Sequence, residues 1–332
     1  MTAAPARQST GGAAIDRRTR LHIVTGKGGT GKTTVAAALA IALAEGGRRV
    51  LLIEVEGRQA LAQLFDVAAL AYEEQHLSTA TGGGEVVGLA VDPEQALLEY
   101  LDLFYNLKRA AKLMKRMGAI DFVTTLAPGL RDVLLTGKVK ERVSERKKDG
   151  SPLYDAVVLD APPTGRIRQF LDATQEVANL AKAGPLNKQS KGVIDLLHGP
   201  QTLVHLVTLL EEMPVQETID ATAELTSAGF RLGTIVVNRA RPTLVGPGQV
   251  AADGGTDVAL LRQGLDIAGI DAAFAAPLAR QFSEYAERQR VQVENEERLD
   301  AIALPRIVLP DLNPPVGLGE LNDLAGYLMG PR

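Results

Sequence analysis

The chain has 332 residues, 45% of them hydrophobic, with a formal net charge of −4 and no cysteine. That length suits one large α/β domain or two ordinary ones, and the apolar fraction supplies a sizeable core. The missing cysteines exclude disulfides, iron–sulfur clusters and thiolate zinc sites, and the acidic balance excludes a global basic field for nucleic acid or an anionic membrane. His22, His76, His198 and His205 are scattered along the chain and read as core or surface side chains rather than metal ligands.

Residues 1–19 are polar, Gly/Ala-rich and mildly basic. They lack the apolar centre of a signal peptide and are expected to form a disordered leader on a cytoplasmic protein. No apolar run approaches the roughly 18 residues of a membrane span. Residues 21–24 (LHIV) form an apolar run that ends at the glycine-rich stretch TGKGGTGKTT, residues 25–34. Residues 33–45 are rich in Ala and Leu and predict a helix stopped by Gly46 and Gly47. Residues 50–53 (VLLI) predict a second strand, and this order opens a parallel α/β sheet. Continuous apolar runs at 86–91, 156–159, 203–207, 234–237 and 307–309 predict further strands covered on both faces. Between 91 and 154 the chain reads as wholly helical, with pieces at 96–107, 110–117 and 132–148 and a break at Pro128 and Gly129. A shorter helical stretch lies between 171 and 197, and the Gly/Pro-rich residues 242–257 read as a loop. The expectation is an α/β fold over 20–332, a mainly parallel sheet with helices on both faces. A helical subdomain is expected at about 93–150 and 172–200.

Gly26, Gly31, Lys32 and Thr33 fit the phosphate-loop pattern G-x-x-x-x-G-K-(S/T). Its glycines, with Gly28, Gly29, Thr30 and Thr34, let backbone N–H groups converge on phosphates, and the following helix offers its positive end. Lys32 is placed to reach the β- and γ-phosphates of ATP or ADP, and the Thr33 hydroxyl to ligate Mg2+. The apolar strand before and the long helix after make this a P-loop NTPase signature.

Lys27, directly after the first glycine, is not part of the ordinary pattern. KGGTGKT resembles the deviant Walker motif of the partitioning, septum-placing, nitrogenase-reductase, arsenite-pump and tail-anchored-protein-targeting ATPases. The resemblance implies that Lys27 crosses a two-fold dimer interface to the partner's nucleotide. Phosphoryl transfer spreads charge onto non-bridging oxygens, and a cation supplied in trans is worth ~10³–10⁵ in rate. A solvated loop lysine is the alternative.

Asp160 ends the apolar strand of VVLDAPPTGRIRQFLD, residues 157–172, and suits a carboxylate that holds Mg2+ through water; helix capping is its alternative. The continuation resembles the DTAPTGH switch of the arsenite and tail-anchor branch, with Ala161 for its threonine and Arg166 for its histidine. Arg166 and Arg168 read either as switch cations or as surface charges. LLIEVEGRQALAQLF, residues 51–65, aligns with that branch's STDPAHN. Glu56 then falls at the water-positioning aspartate, Glu54 at the serine and Gly57 at the proline. A displacement of about 1 Å can cost ~10² in rate, so the longer glutamate implies slow hydrolysis unless the backbone compensates. Glu56 as a cap of the next helix is the alternative.

Asn238, in IVVNR at the end of a late strand, resembles the family's adenine reader, because an amide both donates and accepts. A turn asparagine is the alternative. PRIVLPDLNPPVG resembles the loop beside the base, with Pro310 to Pro315 against the adenine face.

The absent cysteines argue against the nitrogenase reductases and the arsenite pumps, and only one P-loop is present. Leu321, Leu324 and Leu328 form an apolar stripe near the C-terminus, but the polar face is not basic, unlike a septum-placing membrane helix. GKVKERVSERKK contains Glu141 and Glu145 and reads as a solvated helix face rather than a DNA patch. The tail-anchored-targeting branch remains, and the resemblance covers most of 21–315. The chain is most similar to one subunit of the paired actinobacterial targeting-type ATPases. This implies a homodimer or a heterodimer with a paralogous ATPase, hydrophobic protein clients, no nucleic acid, and at most peripheral membrane association through a partner. The dimer-clamping zinc of eukaryotic relatives cannot form here. By resemblance, a client groove would use Leu98, Tyr100, Leu101, Leu103, Phe104, Tyr105, Leu107, Leu113, Met114 and Met117, although such a stripe is more often core. A regulatory nucleotide-binding subunit with weak hydrolysis and a P-loop synthetase acting on a small molecule are the alternatives.

Overall fold

The computed structural model describes residues 15–57, 59–105, 128–180, 185–243, 257–312 and 315–330. The strands are β1 (Leu21–Gly26), β2 (Arg49–Glu54), β3 (Gln75–Ala80), β4 (Gly84–Ala90), β5 (Ala156–Asp160), β6 (Thr202–Thr208), β7 (Leu232–Ala240) and β8 (Arg306–Pro310). They form one sheet in the order β3-β4-β2-β5-β1-β6-β7-β8. Every pairing is parallel except β3 with β4.

Among the described residues, the helices are α1 (Lys32–Ala44), α2 (Ala60–Leu64), α3 (Pro93–Tyr105), α4 (Pro128–Ser144), α5 (Thr164–Leu180), α6 (Pro185–Leu197), α7 (Glu212–Ser227), α8 (Val258–Ile267), α9 (Ala275–Leu299) and α10 (Leu318–Leu328). Successive strand residues point to opposite faces. Val50 and Leu52 therefore join one core with α1, α2 and α10, while Leu51 and Ile53 join a second with α4, α5, α6 and α7. Both faces are covered, so the strands carry continuous apolar runs. Helix α1 is buried from Val35 to Ala44 because the sheet lies on one side and α10 on the other. The expected mainly parallel sheet with helices on both faces is the observed fold.

Several local expectations need correction. Within the expected leader, Ile15 and Thr19 are buried rather than disordered, while Asp16 and Arg18 are exposed. Ile15 is 3% exposed in the α1/α10 core, and its N–H donates to Leu328 O at 3.4 Å. The break at Pro128 is the start of α4, where a proline's missing N–H costs nothing. This helix ends at Ser144, short of 148, where a turn through Asp149 and Gly150 (φ 82°) leads to a bridge between Arg146 and Pro152. The expected helical piece 110–117 lies outside the described residues, as does most of the loop 242–257. Helix α5 begins at Thr164, so the expected subdomain boundary at 172 falls inside it. Strand β3 was not expected. Its sequence QHLSTA has no apolar run because it is an edge strand, joined to β4 by a turn with Gly82 and Gly83 at φ 83° and 82°.

His22 and His205 are buried on adjacent strands, with His22 Nδ1 and His205 Nε2 3.0 Å apart. Thr234 N–H donates to His205 Nδ1 at 3.1 Å, so neutral His205 carries its proton on Nε2 and donates it to His22. Burial pushes the His205 imidazole down to about 4 and that of His22 well below its ordinary value. No group of three metal-ligating side chains occurs among the described residues. No described helix is long and apolar enough to cross a membrane.

Candidate nucleotide site

The site lies at the carboxyl end of β1, where open parallel sheets place their ligands. The loop between β1 and α1 needs its glycines. Gly29 and Gly31 have φ of 88° and 86°, which an L side chain rarely adopts. At Gly26, a Cβ would sit 2.1 Å from Val207 O on the neighbouring strand. Gly28 and Gly29 are exposed at the crown of the loop, whereas Thr30 is buried and its hydroxyl donates to Lys27 O at 2.8 Å. Lys32 opens α1 and is largely buried. Thr34 is half-buried in the same first turn.

Asn238, expected at the base, lies beneath this loop. It is 5% exposed, and its Nδ2 donates to Thr30 O at 2.9 Å. One of the two amide N–H groups is therefore engaged in positioning the loop, and the amide has a second N–H and its oxygen besides. Pro310 ends β8 and is half-buried, and Pro315 is exposed. Between them Asp311 pairs with Arg239 at 3.0 Å and Arg241 at 3.7 Å.

Thr33 and Asp160 are brought together. The Thr33 hydroxyl donates to Asp160 Oδ2 at 2.7 Å, while Oδ1 is buried with no hydrogen-bond partner among the described residues. Burial raises the Asp160 carboxyl to about 6; the Thr33 hydrogen bond and Lys32 oppose this, and Glu54 and Glu56 add to it. A hydroxyl beside an orphaned, buried carboxylate oxygen is a donor set that fits a hard cation such as Mg2+.

The segment aligned with STDPAHN, the first switch below, takes its own path. Glu56 lies two residues beyond β2, half-buried and near enough to act on Asp160. Gly57, at the position matching the branch's proline, has φ 66°, and proline's ring holds φ near −65°. Gln59 also has a positive φ of 56° and holds the entry to α2, with its amide bonded to both the N–H and the carbonyl of Leu70 at 2.7 and 2.9 Å.

The segment that resembles the DTAPTGH switch, the second switch below, is tied down at Pro162 and Thr164. The Thr25 hydroxyl donates to Pro162 O at 2.7 Å. The Thr164 hydroxyl donates to Glu217 Oε2 at 2.9 Å, and Lys27 Nζ pairs with Glu217 Oε1. Burial raises the Glu217 carboxyl, but the Lys27 and Thr164 bonds outweigh it and the net shift is downward. Arg166 sits 3.8 Å from the buried Asp132 of α4, and Arg168 pairs with Asp172 and Glu224. Both arginines are exposed and paired with carboxylates. Sequence patterning had no signal for Glu217, a helix glutamate whose partners lie 190 and 53 residues away.

Of the side chains expected in a client groove, Leu98 packs against Ala96, Leu97 and Leu134. The side chains of Tyr100, Leu101, Leu103, Phe104 and Tyr105, and residues 107, 113, 114 and 117 entirely, lie outside the described ones. Leu260, Ile267, Ile270 and Phe274, on and after α8, are exposed large apolar side chains.

Comparison with known proteins agrees with this geometry. Residues 19–196 match the family described as anion-transporting ATPase. The chain is 53% identical to ATPase BagA of Mycobacterium tuberculosis over 314 residues, 93% of this chain and 92% of that one. It is 26% identical to the arsenical pump-driving ATPase of Acidiphilium multivorum over 236 residues, 66% of this chain and 39% of that longer protein. A nucleotide loop on a mainly parallel sheet, a family match over more than half of its length and a full-length relative make this chain a member of the anion-transporting ATPase family.

Proposed function

We propose that this protein is a magnesium-dependent ATPase that converts ATP to ADP and phosphate and uses its nucleotide state to switch a dimer. That dimer would bind hydrophobic protein clients, including tail-anchored ones, or a membrane partner. The reading is carried by the Thr33–Asp160 hydrogen bond at the foot of the phosphate loop, with no hydrogen-bond partner for Asp160 Oδ1 among the described residues. Thr33 and Asp160 would hold the ion, which when bound neutralises phosphate charge.

The chain's own groups divide the remaining work. Backbone N–H groups of the loop and Lys32 bind the phosphate chain, and the amide oxygen of Asn238, with Pro310 and Pro315, faces the base. Glu56 orients the attacking water and accepts its proton. Lys27 leaves Glu217 and serves the partner subunit's nucleotide, lowering the barrier as a cation in trans. Loss of that contact frees Glu217 from one of its two partners, the other being Thr164 of the second switch. Arg166 extends the same connection from α5 to α4 through Asp132. A small shift at the γ-phosphate would thereby pass to the helical region.

The partner is a second copy or a paralogous ATPase, the location is cytoplasmic, and contact with a membrane is peripheral and made through a partner. A regulatory subunit with weak hydrolysis of its own is a second reading, favoured by the left-handed Gly57 beside Glu56.

The test is affinity purification from native cells with and without a non-hydrolysable ATP analogue. A second ATPase with the same phosphate loop, recovered together with proteins bearing hydrophobic termini, is the expected result. Recovery of the protein alone under both conditions overturns the targeting reading.

A further inference from the structure

Glu54 ends β2 with 2% of its surface exposed, and neither of its carboxylate oxygens has a hydrogen-bond partner among the described residues. Buried carboxylates are ordinarily met by donors or cations, because desolvation without them is costly. A side chain held this way is matched to a group that the described residues do not supply.

Its surroundings say which group. Glu54 is the register partner of Asp160 in the parallel β2–β5 pairing, so the two side chains leave the same face of the sheet at the same level. Asp160 Oδ1 is likewise buried and unpartnered, and Glu54 adds to the upward push on the Asp160 carboxyl. Three buried carboxylate oxygens with no hydrogen-bond partner among the described residues thus lie on neighbouring strand ends, beside the Thr33 hydroxyl that already donates to Asp160. A set made of carboxylate and hydroxyl oxygens selects a hard divalent cation. Magnesium retains several of its waters in such sites, and those waters need acceptors.

We propose that Glu54 is a positioning residue for the divalent cation, accepting hydrogen bonds from the cation's bound water beside Asp160. The inference deepens the magnesium-nucleotide reading above and rests on it. The carboxylate of Glu54 does not ligate the ion. It fixes the orientation of the water shell, and its charge adds to that of Asp160 in drawing the ion to the ends of β2 and β5. Glu54 is two residues from Glu56, and the two carboxylates have different tasks: Glu54 is buried in the strand, and Glu56 is half-buried on the loop, where it can face water.

Glu54→Gln preserves the shape and removes the charge. Three quantities are measured in wild type and variant: Mn2+ affinity of the ADP complex by electron paramagnetic resonance, ADP affinity in EDTA, and the melting temperature of the nucleotide-free protein in EDTA. We expect Mn2+ affinity to fall by ~10–100-fold, as for other groups that orient a metal's immediate shell. ADP affinity in EDTA should be unchanged, and the variant should melt at a higher temperature because an uncompensated buried charge is gone. A merely structural glutamate would lower the melting temperature and leave Mn2+ affinity alone. Unchanged Mn2+ affinity in Glu54→Gln overturns the inference while leaving the nucleotide reading intact. A wild type whose ADP binding gains nothing from Mn2+ overturns the nucleotide reading itself. If Glu54→Gln does not fold, Glu54→Asp retains the charge but retracts it by one methylene. A Mn2+ affinity equal to wild type in that variant overturns the inference, and a drop supports it.

Discussion

Lys27 Nζ is paired with Glu217 Oε1 within its own subunit, and Glu217 Oε2 accepts the Thr164 hydroxyl at 2.9 Å. One carboxylate therefore joins the phosphate loop to the second switch. The side chains of Lys27 and Glu217 are 31% and 32% exposed, so the pair is partly screened by solvent and is worth roughly 0–1 kcal/mol. A contact that weak holds the lysine in place yet yields readily to a nucleotide phosphate. We expect Lys27→Ala to reduce hydrolysis by ~10³-fold or more while nucleotide affinity stays near wild type. We expect Glu217→Gln to change stability by less than about 1 kcal/mol and to raise ATP-dependent dimerisation, measured by analytical ultracentrifugation. Wild-type turnover in Lys27→Ala would refute a trans role for this lysine.

Glu56 and Gly57 set the first switch. Glu56→Gln should lower kcat by ~10²–10⁴-fold, with ATP binding retained. Gly57 at φ 66° tolerates no proline, and an alanine there should cost about 1–2 kcal/mol of stability. Chemical denaturation of Gly57→Ala checks the backbone claim, and single-turnover kinetics of Glu56→Gln checks the chemistry. A Gly57→Pro protein with wild-type stability and turnover would show that the loop does not need its left-handed turn.

Asn238 holds the phosphate loop through Thr30 O. Replacing the amide nitrogen with a second acceptor, in Asn238→Asp, sets a carboxylate oxygen against that carbonyl. Leaving the buried Thr30 acceptor unsatisfied costs ~1–3 kcal/mol, so ADP affinity should fall by about tenfold or more. Isothermal titration with ADP and ATP measures it. Equal affinity in variant and wild type would mean that the loop keeps its shape without this bond.

The buried His22–His205 pair makes stability depend on pH. Both imidazoles have folded-state values depressed below the unfolded value near 6.5, so the unfolded chain binds more protons in acid. Their contribution is complete above pH 6.5 and is lost as pH falls toward 4. For His205, held down to about 4, the loss is on the order of 3 kcal/mol. The geometry gives the reason, because a proton on His205 Nδ1 would face the Thr234 N–H and one on His22 Nδ1 would face the His205 Nε2–H. Asp160, raised to about 6, acts with the opposite sign in the nucleotide-free protein. The histidine part is therefore the difference between wild type and His205→Gln, followed by urea unfolding from pH 7 to 4. Parallel curves for the two proteins would remove the histidines from the account.

The phosphate loop was legible because its chemistry is local: neighbouring backbone N–H groups and Lys32 must converge on one phosphate chain, so the pattern is contiguous in sequence. Strands β1, β2, β5, β6 and β7 were legible for a related reason, since burial on both faces favours a run of apolar residues within each. Asp160 followed as the polar residue that ends such a run. By contrast, β3 is an edge strand with only part of its surface buried, and α9 is 25 residues long with four of them buried, so neither imposes a clear apolar pattern. Gly57 could be noted as a departure from a motif, but its φ of 66° is a property of the folded chain. The pairings of Lys27 with Glu217, Asn238 with Thr30 and Arg166 with Asp132 span 190, 208 and 34 residues. Burial writes itself into composition because it acts on each residue alone, whereas a polar contact depends on two residues that only the sheet order and helix packing bring together.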